Sequence, residues 1–374
     1  MNEPGLVQIF SRLYQGDTPY ISSTPPHRVA CYLMNYSKYP PQTVEDIARV
    51  RRRIAASGLP AKITDQNLLI ATWNIRSLGG FYPDWGENPG SPKRNLRALA
   101  IIAEIISNFD IVAIQEVRRE TTAIRFLLEK FLGQNWGLIL TDVTAGICGN
   151  EERLAFLFDR RRVSPSGLAG EIVLPPNAEG DPVQQFCRTP YLVGFQARED
   201  HFTLLTAHIN YGETPQDRLP ELTALAAYTA REIRDRSTTP GSEERNLIVL
   251  GDMNIDRRGE NPLFDAFVST GLFVPHQIIS LKTTYNSKPK HYDQIGWFMD
   301  QSSTLRYNGK AGIIDFSGTV FQEMSNFLMS FRVSDHFPLW VEFNLDHSCE
   351  QMGKTLGLSE VELAMPDPLS IVPD

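Results

Sequence analysis

The stretch Asn246–Asn254, NLIVLGDMN, decides how this chain folds. The unbroken apolar run Leu247–Leu250 reads as a strand buried on both faces, and it stops at Gly251-Asp252-Met253-Asn254. A carboxylate and an amide at the end of such a strand stand on the rim of a rigid scaffold and still reach solvent. Other segments follow the same grammar. LLIAT leads into Trp73-Asn74-Ile75, DIVA into Ile114-Gln115-Glu116-Val117, and FTLL into Thr206-Ala207-His208-Ile209-Asn210. Val333-Ser334-Asp335-His336-Phe337-Pro338 closes the series.

A chain of 374 residues with 42% hydrophobic and 21% charged residues is globular in composition and long enough for one large domain. No stretch approaches the roughly 20 apolar residues of a membrane span. The start, MNEPGLVQIFSRLYQGD, lacks the basic region and apolar core of a signal peptide, so a cytoplasmic location is expected. Cys31, Cys148, Cys187 and Cys349 form no C-x-x-C pair and are expected to be reduced thiols. The net charge of −8 argues against broad, non-specific adhesion to nucleic acid. It leaves room for a metal site with a local basic rim.

Residues 1–66 read as an N-terminal extension with one helix, expected to dock on the main body; any protein partner for it is unassigned. Thr43 is its expected cap, Asp46 completes a box-like pattern, and Val44, Ile47, Val50 and Ile54 form the apolar stripe. Gly58 and Pro60 stop it, and Arg51-Arg52-Arg53 reads as a solvated face, with phosphate contact as the alternative. Residues 67–346 form the main domain, and 347–374 an acidic tail expected to be loosely docked or disordered. Within the main domain strands are expected at 68–74, 111–115, 136–141, 153–159, 191–197, 202–208, 246–251, 292–298 and 338–343. Helices are expected near 93–108, 121–132, 216–236 and 262–269. The polar turn Arg198–Asp200 is too short for a crossover helix, so the fold class is α/β of the α+β kind, with mixed sheets. The Gly/Pro-rich loop Phe81–Pro92 follows the first site strand and is a candidate substrate rim.

The rim residues support one chemistry when taken together. Glu116 offers a hard anionic oxygen and Asn74 a neutral one, ligands that suit Mg²⁺ or Mn²⁺ better than zinc. Asp335 adds a carboxylate, and Asp252 and Asn254, as alternate residues, are expected to project to one face. Converging carboxylates repel unless a cation joins them. His208 and His336 fit the proton transfers, each with a candidate carboxylate partner: Glu152 for His208 and Asp293 for His336. Each residue alone has a plainer reading, such as a cap, an Asx turn or a satisfied polar pair. Arg188, before Thr-Pro, is either a surface residue or a bidentate phosphate ligand.

Trp73-Asn74-Ile75, Gln115-Glu116, His208, Gly251-Asp252-Met253-Asn254, Tyr292-Asp293-Gln294-Ile295 and Ser334-Asp335-His336-Phe337-Pro338 resemble the motif series of the endonuclease/exonuclease/phosphatase superfamily. The likeness keeps the family order over roughly residues 68–345. It implies a four-layer αββα sandwich of two mixed, largely antiparallel sheets, and Mg²⁺-dependent phosphoester hydrolysis. By that likeness Asn74 and Glu116 bind metal, Asp335 binds metal or orients its neighbour, Asp252 and Asn254 sit at the scissile phosphate with Asp252 helping metal or nucleophile, and His336 contacts phosphate or acts as acid. Finer features look most like the deoxyribonuclease I group. Glu152 in NEERLAFLFDRRRV matches an acid that orients the base histidine, and Arg188 in FCRTPYLVGF matches an element approaching phosphate, with Asn210 as a further phosphate contact. Abasic-site endonucleases differ around His208, and inositol polyphosphate phosphatases differ at Tyr292-Asp293-Gln294. The chain departs from deoxyribonuclease I in its N-terminal segment and its lack of an obvious disulfide pair.

The expectation is a divalent-metal-dependent phosphodiester hydrolase, a DNA endonuclease with nucleic acid as its partner. The alternatives are a phosphatase or a lipid phosphodiesterase of inositol phosphate or sphingomyelin type on the same site, and a non-catalytic interaction module.

Overall fold

The computed structural model describes residues 35–237, 246–285, 288–299 and 305–358. Strand β1 (Asn67–Leu78) shows how the sequence builds layers. Its apolar run has no polar face, because Leu69, Ala71 and Trp73 enter one core and Leu68 and Ile70 enter another. One sheet of six strands runs β10 (Arg306–Ile313), β11 (Leu339–Asn344), β1, β2 (Ile111–Arg118), β4 (Glu152–Asp159), β3 (Trp136–Leu140). The second, of five, runs β5 (Ser164–Glu171), β6 (Tyr191–Ala197), β7 (Asp200–His208), β8 (Leu247–Asp252), β9 (Asp293–Trp297). β1 and β2 are parallel, as are β7 and β8; the other pairings between these described strands are antiparallel.

The two sheets pack face to face over a shared core. Phe195 on β6 crosses it, meeting Phe156 and Phe158 of β4 at ring-centroid distances of 5.6 Å each. Such offset aromatic packing adds to the gain from area burial. Outside the first sheet lie α1 (Pro41–Ala56), α2 (Leu96–Ile106) and α3 (Thr122–Phe126), whose Ile54, Leu99 and Ile124 share a core with Trp73. Outside the second lie α4 (Leu219–Ser237) and α5 (Pro262–Val268), whose Leu225 and Phe267 pack on Leu205 and Val249. The molecule is therefore the expected four-layer αββα sandwich.

Several local readings are corrected. α1 begins at Pro41 with Pro40 as its cap residue, so Thr43 and Asp46 lie inside the helix and are buried. Asp46 is spent on Arg97 of α2, with Nη2 2.5 Å from Oδ2, rather than on a capping box. Arg51 reaches Glu104 of α2 at 2.7 Å and Arg53 reaches the carbonyl of Asp315 at 2.6 Å. These two arginines bind the helix to the main body instead of forming a solvated face. The helix expected over 121–132 is a short α3 continued by a π-helical segment, Leu127–Leu132. Strands β5 and β10 were not legible, because edge strands carry half-exposed, Gly-containing sequence with little apolar alternation. The tail does not start as irregular chain: α7 (Ser348–Leu356) follows β11, with Glu350 paired to Arg306 at 3.0 Å. Residues 1–34 and 359–374, and what was expected of them, lie outside the described residues. A further short helix, α6 (Asn326–Ser330), precedes the last site segment.

Opposite the rim that carries the site residues, Lys62 Nζ joins Asp159 at 2.7 Å and Asp110 at 3.4 Å, beneath the start of β2. Burial works to raise the Asp159 carboxyl, but the Arg161 hydrogen bond and the Lys62 charge outweigh it and hold it at about 2. A depressed carboxyl stabilises the fold fully above its unfolded value, and that contribution is lost as pH falls through the folded one. Asp159→Asn is expected to lower unfolding free energy by about 1–2 kcal/mol at neutral pH, with the gap closing in acid. Urea titrations of both proteins at the two pH values check this; a gap independent of pH contradicts it.

Candidate active site

Parallel strands end on the same side, and each sheet has one such pair at its centre. Asn74 and Glu116 therefore leave β1 and β2 on the rim where His208 and Asp252 leave β7 and β8. The antiparallel neighbours β4 and β9 begin on that rim and bring Glu152 and Asp293. Close approach sets one residue type absolutely. A Cβ at Gly251, with φ +144°, would stand 2.0 Å from the carbonyl oxygen of Ala207 on β7. Only glycine lets the chain reach Asp252 with the parallel pairing intact. At Glu116 the pairing with β4 slips between Ile114 and Val117, and φ is +62°, a left-handed conformation that re-aims its carboxylate.

One amide ties the two sheets together. Asn74 Nδ2 donates to Glu116 Oε1 and to Asp252 Oδ2, both at 2.9 Å. Two imidazoles flank the second carboxylate, with His208 Nε2 3.6 Å and His336 Nε2 3.8 Å from Asp252 Oδ2. Each ring is held from behind: His208 Nδ1 lies 2.9 Å from Glu152 Oε2, and His336 Nδ1 2.8 Å from Asp293 Oδ2. The His208 contact is short in distance but bent away from hydrogen-bond direction. Glu152 also meets Arg188 Nε at 2.7 Å, Arg118 at 3.2 Å and Asn150 at 2.5 Å.

The charges follow from this geometry. Burial works to raise Glu152, but its contact with His208 and the His208 and Arg188 charges prevail and hold it below the usual carboxylate range. Burial likewise opposes Asp252, and the charges of His336 and His208 hold it low. Asp293 is pushed up by burial against the pull of His336. Burial disfavours the His336 imidazolium, yet Asp293 and Asp252 raise it well above its ordinary value. The His336–Asp293 pair thus keeps a proton to higher pH than a free imidazole does.

The residues present fit a hard divalent cation. Asn74 Oδ1 is buried and has no hydrogen-bond partner among the described residues, an acceptor left open on the side chain that also meets the half-buried Glu116 carboxylate. Among the described residues no group of three or more His, Cys, Asp or Glu side chains converges as a cage. Two protein oxygens with water elsewhere is how Mg²⁺ is usually held.

Asp335 stands apart from this pair. Its Oδ2 lies 3.5 Å from Arg76 Nη1, and its charge is felt at His336 and Arg94. Asn254 does not continue β8 with alternating direction. It lies past the strand end at φ +51°, and its N–H caps Asp252 Oδ1 at 3.0 Å, the Asx-type turn that was the plainer reading. Its amide donates to the carbonyl of Ile209 at 2.7 Å, so it fixes the Asp252 carboxylate. Asn210 gives its backbone N–H to Glu221, and its side chain joins none of the cluster's hydrogen bonds. Arg188 is nine-tenths buried, and its Nη1 is a buried donor with no hydrogen-bond partner among the described residues. The neighbouring Cys187 thiol is pushed up to about 12 by burial and then by Cys148 and Glu221, so it stays a poor nucleophile.

Of three further supports, Arg94 carried no sequence signal, while Gln115 and Ser334 lie within the quoted motifs, which do not disclose what they bond. Arg94 donates to four carbonyls, of Arg332 (2.9 Å), Ser77 (3.0 Å), Arg76 (2.7 Å) and Val333 (3.2 Å), and so clamps β1 to the last site segment. Gln115 Nε2 joins Thr72 at 3.1 Å to Thr206 at 3.0 Å, a buried polar link between the sheets. Ser334 Oγ donates to the Asn74 carbonyl at 2.7 Å and accepts the N–H of His336 (3.1 Å) and of Arg76 (3.2 Å).

Residues 71–316 match the model of the Endonuclease/Exonuclease/phosphatase family. The chain belongs to this family. Phosphoester hydrolysis is the reaction class of the endonuclease/exonuclease/phosphatase family, and the clustered acids and imidazoles are of the type that reaction uses. A deoxyribonuclease of Thioalkalivibrio sp. (strain K90mix) is 28% identical over 288 residues, covering 74% of this chain and 71% of that one. The crystal structure of an endonuclease/exonuclease/phosphatase from Bacteroides vulgatus aligns with a TM-score of 0.52 at 14% identity, over 75% of this chain and 99% of that one. That second likeness concerns the fold. No described helix is long and apolar enough to cross a membrane.

Ser334→Ala leaves the N–H groups of Arg76 and His336 without an acceptor beside the site. It is expected to cost about 1–3 kcal/mol of stability and to lower kcat more than it changes KM. Denaturation and steady-state kinetics check this; wild-type kcat in a folded variant contradicts it.

Proposed function

We propose that this protein is a divalent-metal-dependent phosphodiesterase that cuts DNA. The observation that carries the proposal is the pair of opposed imidazoles. Each sets its Nδ1 beside a buried carboxylate and turns its Nε2 toward Asp252. An imidazole fixed in this way presents one defined nitrogen to a reacting oxygen. The two differ in surroundings, because three donors crowd Glu152 while Asp293 faces His336 and a threonine.

In this reading His208 accepts the proton of an attacking water, with Glu152 holding the ring from behind. His336 keeps its proton and gives it to the departing oxygen or hydrogen-bonds the phosphate. Asp252, set by Asn74 and by the N–H of Asn254, orients the water between the rings. The buried Nη1 of Arg188 takes a phosphoryl oxygen. Asn74 and Glu116 hold Mg²⁺ or Mn²⁺, which when bound supplies charge stabilisation to the phosphoryl oxygens. Asp335 acts next to His336, through Arg76 or as a further oxygen toward the cation. DNA as substrate is supported by the deoxyribonuclease relative and by the arginines around the site.

Plasmid nicking in Mn²⁺ or Mg²⁺ tests this reading. His208→Ala and His336→Ala are each expected to lower the rate by about 10²–10⁴-fold. Wild type and variants sharing one trace activity would end it. Calorimetry tests the metal assignment separately: Asn74→Ala and Glu116→Gln are expected to weaken Mn²⁺ binding about 10-fold or more, with unchanged circular dichroism. Equal binding by all three proteins contradicts the assignment.

A further inference from the structure

The two imidazoles are backed in different ways. Glu152, behind His208, is gripped at its carboxylate by Arg188, Arg118 and Asn150. Asp293, behind His336, gives Oδ2 to the ring, while its Oδ1 is buried with no hydrogen-bond partner among the described residues. A carboxylate held so sparingly at its own oxygens is aimed by its backbone. Whatever fixes that backbone decides where His336 points.

The group that fixes it is Arg258, in the loop that follows Asp252. Its side chain is buried, and each guanidinium nitrogen donates. Nη2 gives to the carbonyl of Asp293 at 2.6 Å and Nε to Gln294 Oε1 at 2.7 Å. Nη1 gives to the carbonyls of Ile278 and Leu281, both at 2.6 Å. The Arg258 N–H goes to His291 Nδ1 at 3.0 Å. Burial and then the Arg258 charge press that imidazole down to about 4, so its Nδ1 stays an acceptor at neutral pH.

All four side-chain bonds of Arg258 end on neutral oxygens. Burial lowers the guanidinium only to about 10, against the pull of the Asp293 charge, so it is cationic at neutral pH. A cation buried in this way costs stability that an apolar side chain of the same size would not. The return on that cost lies in what the guanidinium joins. On one side is β9, with Asp293 and Gln294. On the other are residues 278–284, which hold both members of the dyad. Thr283 Oγ1 accepts the N–H of Asp293 at 3.1 Å, the Thr283 carbonyl accepts the N–H of Phe337 at 2.7 Å, and Thr284 pairs with His336.

A planar fork bonded to both segments sets the spacing between them. We propose that Arg258 is a positioning residue for the reaction: its guanidinium sets Asp293 against His336 and so aims His336 Nε2 at Asp252. It acts through the dyad and reaches no reacting atom itself. The kinetic half of its test rests on the hydrolytic reading above; the structural half does not.

Arg258→Lys keeps a cation but cannot span both segments, because an ammonium has no planar fork. On an oligonucleotide it is expected to lower kcat about tenfold and to change KM by less than about twofold. In a His336→Ala background the same change is expected to cost less than about twofold, since a residue acting through His336 has nothing left to aim. The second readout needs no turnover. In proton NMR a hydrogen held between His336 Nδ1 and Asp293 resonates far downfield and exchanges slowly, and its absence from His336→Ala identifies it. The signal is expected in the wild type and is expected to shift or vanish in Arg258→Lys and Arg258→Met. If Arg258→Met does not fold, Arg258→Lys carries both readouts. Asp159→Asn, which loosens the opposite rim, is expected to leave the signal and kcat unchanged, and so separates aiming from mere stability.

Folded Arg258 variants with wild-type kcat and an unmoved signal overturn the proposal. So do losses that multiply in full with that of His336→Ala, or an equal loss of kcat in Asp159→Asn. A wild type without the downfield signal overturns it as well. A wild type inactive on every phosphodiester ends the hydrolytic reading, and the signal alone then decides whether Arg258 places His336.

Discussion

The site depends on one neutral amide shared by two carboxylates. Asn74 lies on one sheet with Glu116, while Asp252 comes from the other, and a single NH₂ group holds all three together. Without it, two negative groups in a poorly solvated cleft would push the sheet ends apart. The amide also leaves its oxygen buried with no hydrogen-bond partner among the described residues, and in the proposed function that oxygen is the acceptor that would take a cation. Structure and chemistry meet on one side chain.

Around that amide the fold spends many bonds on placing the backbone. Arg94 gathers carbonyls from β1 and the last site segment, Ser334 joins Asn74 to His336, and the Trp73 indole donates to the His336 carbonyl at 2.8 Å. Beneath them Gln115 pins the sheets with two threonines. A site built on strand ends and locked by such bonds is pre-organised, which matters when catalysis requires positions accurate to a fraction of an ångström.

Much of this was written in the sequence where burial and chemistry coincide. Apolar runs ending in Asn74, Glu116, His208 and Asp252 marked the inner strands, since a strand covered on both faces has no polar side to confuse the pattern. The histidine partners Glu152 and Asp293 were also named, although nothing in spacing shows that β4 and β9 start at the rim where β2 and β8 end. Edge strands β5 and β10 escaped because half-exposed residues carry little periodicity. The N-terminus of α1 was misplaced because Thr43 and Asp46 look like a cap in isolation; Arg97, 51 residues on, claims the carboxylate. Asn254 was misread for a similar reason: alternation fails once a residue turns left-handed. Long-range partners decide these cases, and local sequence does not contain them.

A crystal of the protein grown with Mn²⁺, measured at a wavelength where manganese scatters anomalously, tests the central claim most directly. The account predicts a peak bonded to both Asn74 Oδ1 and a Glu116 oxygen, at about the 2.1 Å typical of small hard divalent ions. A peak elsewhere on the molecule, or none at millimolar Mn²⁺ with those two oxygens turned away from each other, would contradict it.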